Sequence, residues 1–201
     1  MLDDFKIDAF NAVSEKALEA SKTSKFPRGY WRWDDMLNAN KNGFFPYTPA
    51  TQILYGLDVA VDCMHEEGLE NIFARHKRHG EATRAAVKAW GMENLARDPY
   101  ISPVMTAVMM PGGKGGDAYR KLVLDQFDMS LGAGLNKIAD KIFRIGHLGD
   151  TNDLTIMGAL SGVEMGFELA GVPYQKGGVQ AAMDVIAAHH SAKQPVAQAA
   201  E

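Results

Sequence analysis

One arginine stands out by where it sits. Residues 141–149 read KIFRIGHLG, and Arg144 lies inside a run that is otherwise apolar. In an extended chain alternate side chains share a face, so Ile142, Arg144, Gly146 and Leu148 point one way and Phe143, Ile145 and His147 the other. A guanidinium taken out of water without a partner is destabilising by several kcal/mol. Arg144 therefore either pairs with an acid of the chain, such as Asp140 or Asp150, or waits for an anion that arrives with a ligand. Periodicity alone leaves both open. A second candidate is Tyr47-Thr48-Pro49. The Thr48 hydroxyl can cap a helix that Pro49 begins, and a helix start also attracts phosphate through free N–H groups and a partial positive charge. A plain cap alone explains Thr48, but a cap can double as an anion site, and Tyr47 adds a hydroxyl beside it.

Other patterns carry less chemistry. Residues 111–116, PGGKGG, lack the spacing of a nucleotide-binding loop and have no Ser or Thr after Lys114, so a flexible strand-to-helix loop is the better reading. Gly132-Ala133-Gly134 has no third glycine at dinucleotide-fold spacing; these glycines are expected to supply unusual dihedrals in a loop near Arg144. His65-Glu66-Glu67 is not a zinc motif. His76 and His79 share a helix face without a carboxylate or cysteine set, which reads as a solvated face, and no metal site is expected. Cys63 would need a positioned base to act as a nucleophile; a small buried residue is the default reading.

The elements that must position these residues follow from local pattern. Phe10–Ser14 reads as a strand passing into a helix that ends near Lys22, followed by an aromatic, basic connection from Phe26 to Trp33. A helix from Thr48 to Gly68 presents Ile53, Leu57, Val61 and Met64 on one face. A longer helix, 70–90, stops at Gly91; its charged surface suggests a link between two lobes along the outside. Val104–Met110 reads as a strand, Asp117 onward as a helix with Tyr119, Leu122, Val123 and Phe127 on one side, Ser130–Leu135 as a glycine-broken turn, and Ile142–Ile145 as a second strand. Asp150 or Thr151 is expected to cap a helix lined by Ile156, Leu160, Val163 and Phe167 and ended by Gly171 and Pro173. The tail, 187–201, including His189 and His190, is expected to fray. Loosely alternating strands and helices make the class α/β or α+β.

Composition narrows the function classes. The chain has 201 residues, 46% hydrophobic and 23% charged, which is ordinary globular composition. A net charge of -4 gives no reason to expect nucleic-acid binding. One cysteine excludes an internal disulfide and suits a reducing compartment. Residues 1–9 do not read as a signal peptide, and no apolar run has the length of a membrane span. The expectation is a cytoplasmic protein that engages neither membrane nor nucleic acid.

Several segments together resemble a known family. Trp33-Asp34-Asp35-Met36-Leu37, Gly43-Phe44-Phe45-Pro46-Tyr47-Thr48-Pro49-Ala50-Thr51, Leu54-Tyr55-Gly56-Leu57, Glu66-Glu67-Gly68-Leu69-Glu70-Asn71, Ala74-Arg75-His76, Ser130-Leu131-Gly132 and Phe143-Arg144-Ile145-Gly146-His147-Leu148-Gly149 occur in the order seen in class V, fold-type I aminotransferases. The similarity is greatest to the serine–glyoxylate and alanine–glyoxylate type and covers roughly residues 10–186.

The resemblance implies pyridoxal phosphate as cofactor, small amino and keto acids as substrates, and a homodimer. It implies that Arg144 grips the substrate carboxylate, with the two parallel hydrogen bonds that a guanidinium fork allows. It implies that Thr48, with Tyr47, contacts the cofactor phosphate of the other subunit. Phe45 stands where some members carry a tyrosine, and it has no hydroxyl. The lysine that holds the cofactor covalently lies, in the family, upstream of the segment matching Phe10–Ser14. Lys6 is the lysine nearest that place, and its acidic context does not match. The chain thus reads as a C-terminal half: 1–90 from the cofactor-binding domain with a dimer-interface segment and linking helix, and 91–186 as the small domain. Two functions are expected to compete: part of an aminotransferase, inactive by itself, or a non-catalytic binding module derived from one.

Overall fold

Ser14 has extended backbone and accepts the Ala17 N–H on its hydroxyl, so helix α1 (Glu15–Lys22) begins directly after it. The computed structural model describes residues 11–193. Residues 11–14 pair with no strand, which corrects the strand read over 10–14; Phe10 and Lys6 lie outside the described residues. After a 3₁₀ turn at Gly29–Trp31 come α2 (Trp33–Asn40) and α3 (Thr51–Glu67). The chain divides into two compact units, 1–67 and 68–201.

In the first unit α3 starts later than the sequence suggests. The Ala50 carbonyl accepts the Ile53 and Leu54 N–H groups, so Ala50 occupies the cap position and Thr48 stands before the helix. A proline ring disfavours helical backbone at the preceding residue, which keeps Thr48 out of the helix ahead of Pro49. The apolar face of α3 exists but is not covered: Ile53 and Val61 are half-buried, while Leu57 and Met64 are exposed. Cys63 is exposed as well, contrary to the buried reading.

The second unit packs helices on one face of a small sheet. Its elements are α4 (Leu69–Ala89), β1 (Met105–Met109), α5 (Gly116–Phe127), β2 (Gly132–Ala133), β3 (Ile142–Gly146), α6 (Asp153–Ala170) and α7 (Gly178–Lys193). The strand order is β1-β3-β2, antiparallel throughout. The expected turn at 130–135 thus contains a short strand. Phe143 and Ile145 face a core with Trp90, Tyr119, Val163 and Phe167, where Tyr119 stacks on Phe167 at 5.0 Å and its hydroxyl donates to the Val163 carbonyl.

Helix α4 buries its C-terminal half, although much of its surface is charged. His79, Gly80, Ala82, Thr83, Ala86 and Val87 make a buried stripe of mostly small residues, and the helix packs on α7 and β1. α6 is capped by Asn152, whose side chain accepts the Thr155 N–H, rather than by Asp150 or Thr151. α7 continues through Lys193, well into the stretch expected to fray; 194–201 lie outside the described residues. Its start is fixed by Glu164 of α6, which accepts from Trp90 Nε1 and from the Gly177 and Val179 N–H groups.

Candidate active site

β3 carries Arg144 on the face turned away from the core. The strand's neighbours there are Ala107 of β1 and Gly132 of β2, each directly opposite Arg144 in its ladder. Among the described residues the guanidinium forms no ion pair. Its Nη1 lies 3.9 Å from Met105 Sδ, a weak acceptor, and its Nε is buried with no hydrogen-bond partner among the described residues. A buried donor left unsatisfied is destabilising by about 1–3 kcal/mol, and among the described residues Arg144 forms no ion pair that would offset it.

Both acids weighed as partners are elsewhere. Asp140 has φ +61° and turns its carboxylate to the start of α5, accepting the Gly115 N–H at 3.1 Å and the Asp117 N–H at 3.0 Å. The bonds from Asp117 and Gly115 hold its carboxyl below the usual range. The same contacts dispose of the 111–116 loop as a phosphate cradle, because an anion of the protein already occupies the helix start. Asp150 is exposed and makes no ion pair among the described residues.

The loop after Arg144 is tied to α4. Arg75 Nη1 donates to the Gly149 and Thr151 carbonyls, both at 2.8 Å, and His76 Nε2 accepts the Gly149 N–H at 3.2 Å. Asp153, at the start of α6, takes Arg78 Nε at 3.0 Å, His79 Nε2 at 2.7 Å and His190 of α7. Burial opposes ionisation of Asp153, but hydrogen bonds from His190, His79 and Arg78 outweigh it and hold the carboxyl at about 2. His79 is completely buried, which corrects its reading as part of a solvated face. Burial, partly offset by Asp153, lowers its pKa. His147, on the core face of the same segment, is also fully buried; its Nε2 lies 3.0 Å from Thr106 Oγ1, and burial, then the Arg84 cation, push it down to about 4.

These supporting residues were missed in the sequence. The available signal was Arg75, His76, Arg78 and His79, cationic or imidazole groups at helical spacing, but their partners lie more than seventy residues further along the chain.

In the first unit, Tyr47 and Thr48 are exposed on the loop preceding α3. Residues Gly43 to Pro49 line an open hollow of about 710 Å³. The Tyr47 ring packs on Tyr30 at 4.7 Å, which fixes its direction, and Phe45 is exposed nearby. Neither the Tyr47 nor the Thr48 hydroxyl has a hydrogen-bond partner among the described residues. Unengaged hydroxyls at the foot of a helix suit a phosphate, so these residues fit a phosphate-bearing cofactor even though Thr48 is not the cap.

Among the described residues no group of three or more His, Cys, Asp or Glu side chains could hold a metal ion, and no helix is long and apolar enough to cross a membrane.

No protein-family model matches the chain. Over 180 residues it is 48% identical to a serine–glyoxylate aminotransferase of Arabidopsis thaliana, an alignment covering 89% of this chain and 45% of the plant protein. It is 42% identical over 188 residues to a serine–glyoxylate aminotransferase of Methylorubrum extorquens, covering 90% and 47% of the two chains. Among solved structures it resembles pyridoxamine–pyruvate aminotransferase from Mesorhizobium loti, with a TM-score of 0.78, 33% identity, and coverage of 88% of this chain and 47% of that one. The chain spans about half the length of the curated relatives it matches.

Proposed function

This chain belongs to the class V, fold-type I aminotransferases, and from that premise we propose that it is the half of a serine–glyoxylate-type enzyme that carries the substrate-carboxylate clamp. The whole enzyme moves an amino group from serine or alanine to glyoxylate. The observation that carries this reading is the state of Arg144: a half-buried guanidinium with a thioether beside it and no acid among the described residues. An arginine kept for fold stability would have been paired with Asp140, and Asp140 is bonded elsewhere.

Arg144 binds the substrate carboxylate and orients the rest of the molecule relative to it. Hydrogen bonds to charged groups contribute about 1.5–3 kcal/mol each, and a two-bond fork also fixes rotation. The ties from Arg75, His76 and Asp153 keep the strand end and the following loop in register. Thr48 and Tyr47 would hold the phosphate of pyridoxal phosphate, supplied by the other subunit of a dimer. That cofactor, when bound, supplies the electron sink that lets the amino group leave one acid and join another.

The chain alone is inactive in this reading. A lysine that binds a carbonyl cofactor covalently works from a desolvated pocket that lowers its pKa. Every lysine from Lys16 to Lys176 is exposed. The test supplies the upstream half of a relative and measures serine–glyoxylate transamination with and without Arg144→Ala. Activity that needs both halves and collapses in the variant supports the reading. A completed protein that binds serine and pyridoxal phosphate but transfers no amino group would favour a binding module instead.

A further inference from the structure

We infer that Gly132 is a positioning residue for Arg144: by lacking a Cβ it seats the guanidinium with Nε shut away, so that a carboxylate meets it end-on through Nη1 and Nη2. This rests on the reading of Arg144 as the carboxylate clamp and adds how the clamp is aimed.

A guanidinium offers a carboxylate two edges for an in-plane, two-bond contact. One uses both Nη atoms; the other uses Nε and one Nη. The backbone around Arg144 closes the second. Gly132 is directly opposite Arg144 in the β2–β3 ladder. A Cβ built on Gly132 would lie 3.0 Å from Arg144 Cβ, 3.0 Å from Nε and 3.5 Å from Cζ. The arginine stem therefore lies in the space a side chain at 132 would take. Gly132 has no positive φ, so glycine is required there for room and not for its dihedral freedom. Nε ends buried and without a hydrogen-bond partner among the described residues. On the other side Nη1 rests near Met105 Sδ, a contact that a carboxylate oxygen can replace without leaving a strong acceptor unpaired. The walls of the seat are glycine backbone and a thioether; neither competes with the ligand for the charge.

An alanine at 132 would press on Arg144 Cβ and Nε, both at 3.0 Å. Cβ is held by the strand, so the stem beyond it must turn to relieve the contact, and that turn loosens the cover over Nε and changes the angle of the fork.

The experiment uses the full chain carrying ¹⁵N-labelled arginine, with the Arg144 Nε–H signal assigned by its disappearance in Arg144→Lys. Its hydrogen-exchange rate is compared with that of exposed Arg97, and glyoxylate is titrated as the probe. The inference expects Arg144 Nε–H to exchange at least about tenfold more slowly than that of Arg97, as a covered group does. Glyoxylate should shift the Nη signals and leave Nε protected. In Gly132→Ala the Nε–H should speed up about tenfold while the backbone amides of β3 keep their protection, a separation that mere loss of stability would not give. Exchange as fast as Arg97 in the unaltered chain, an unchanged rate in Gly132→Ala, or a glyoxylate-induced shift centred on Nε would overturn it. If Gly132→Ala does not fold, the exchange rate and glyoxylate response of the unaltered chain decide. If glyoxylate moves no Arg144 signal, the clamp reading and the end-on contact fall together, while the exchange rates still judge the seat.

Discussion

His79 lies against Asp153, Nε2 to Oδ1 at 2.7 Å, and the pair fastens the middle of α4 to the first turn of α6. Arg78 and His190 converge on the same carboxylate from α4 and α7. Replacing Asp153 with Asn keeps the shape and removes the charge that this largely buried group shares with three donors. Breaking a buried ion pair by removing one partner is destabilising by about 3–5 kcal/mol. Asp153 is a fifth exposed, so about 2–4 kcal/mol is expected, read by urea unfolding at neutral pH. A change below about 1 kcal/mol would mean that the knot contributes little.

Acid should weaken the second unit in two stages. His147 has its pKa lowered from 6.5 to about 4, by burial first and Arg84 second, with His79 acting the same way. A base with a depressed pKa binds fewer protons when folded than when unfolded, so its contribution is complete above pH 6.5 and is lost as pH falls toward 4. At 1.36 kcal/mol per unit this amounts to about 3 kcal/mol. Asp153, held near 2 against 3.8, adds its loss between about pH 4 and 2. Urea midpoints measured at about pH 7.5 and 4.5 should differ in the unaltered chain and differ much less in His147→Gln. Parallel pH profiles for the two proteins would exclude His147 as the source.

Gly178 is pressed against the Trp90 ring: a Cβ there would lie 2.1 Å from Nε1. Gly178→Ala must displace either the indole or the start of α7, and with it the Glu164 contacts. Overpacking of this kind is destabilising by about 1–3 kcal/mol or more. The expected sign is a red-shifted tryptophan emission together with a lower unfolding midpoint; an unshifted spectrum and unchanged midpoint would show that the site has slack.

The first unit leaves Trp31, Phe44, Tyr55 and Val59 exposed at 77%, 71%, 72% and 63%. Large apolar side chains left in water in such number favour association between copies. The purified chain is expected to scatter light with a mass above the 21.9 kDa of one copy. A clean monomer at tens of micromolar would contradict it.

What the sequence revealed depended on range. The strand around Arg144 was legible because an apolar run with one charge has few other readings, and the apolar residues of α6 declared their face by spacing. His79 was misread because its partner, Asp153, is 74 residues away and imidazoles at i,i+3 look alike whether solvated or buried. α7 went unseen because its buried positions, Ala182 and Ile186, sit in an alanine-rich stretch with little periodic contrast. Thr48 was placed as the cap because Thr-Pro is a good helix start; the carbonyl that takes the first helical bonds belongs to Ala50, a choice made by backbone geometry. Cys63 was expected inside because α3 has an apolar face, but nothing among the described residues covers it. That no acid among the described residues pairs with Arg144 could not be read from the sequence at all, since Asp140 is near enough in the chain to have served.

The measurement closest to the central claim is steady-state serine–glyoxylate transamination by Arg144→Ala and Arg144→Lys when the chain is supplied with the upstream half of a relative, alongside Thr48→Val. Losing a two-bond contact to a carboxylate should remove about 3–5 kcal/mol of transition-state stabilisation, or roughly two to four orders of magnitude in kcat/KM, with cofactor loading nearly intact. Lysine, a point charge without the fork, should restore part of it. Thr48→Val should instead loosen the cofactor. Near-normal kcat/KM in Arg144→Ala would contradict the account and leave Arg144 a strand arginine whose missing acid has no function.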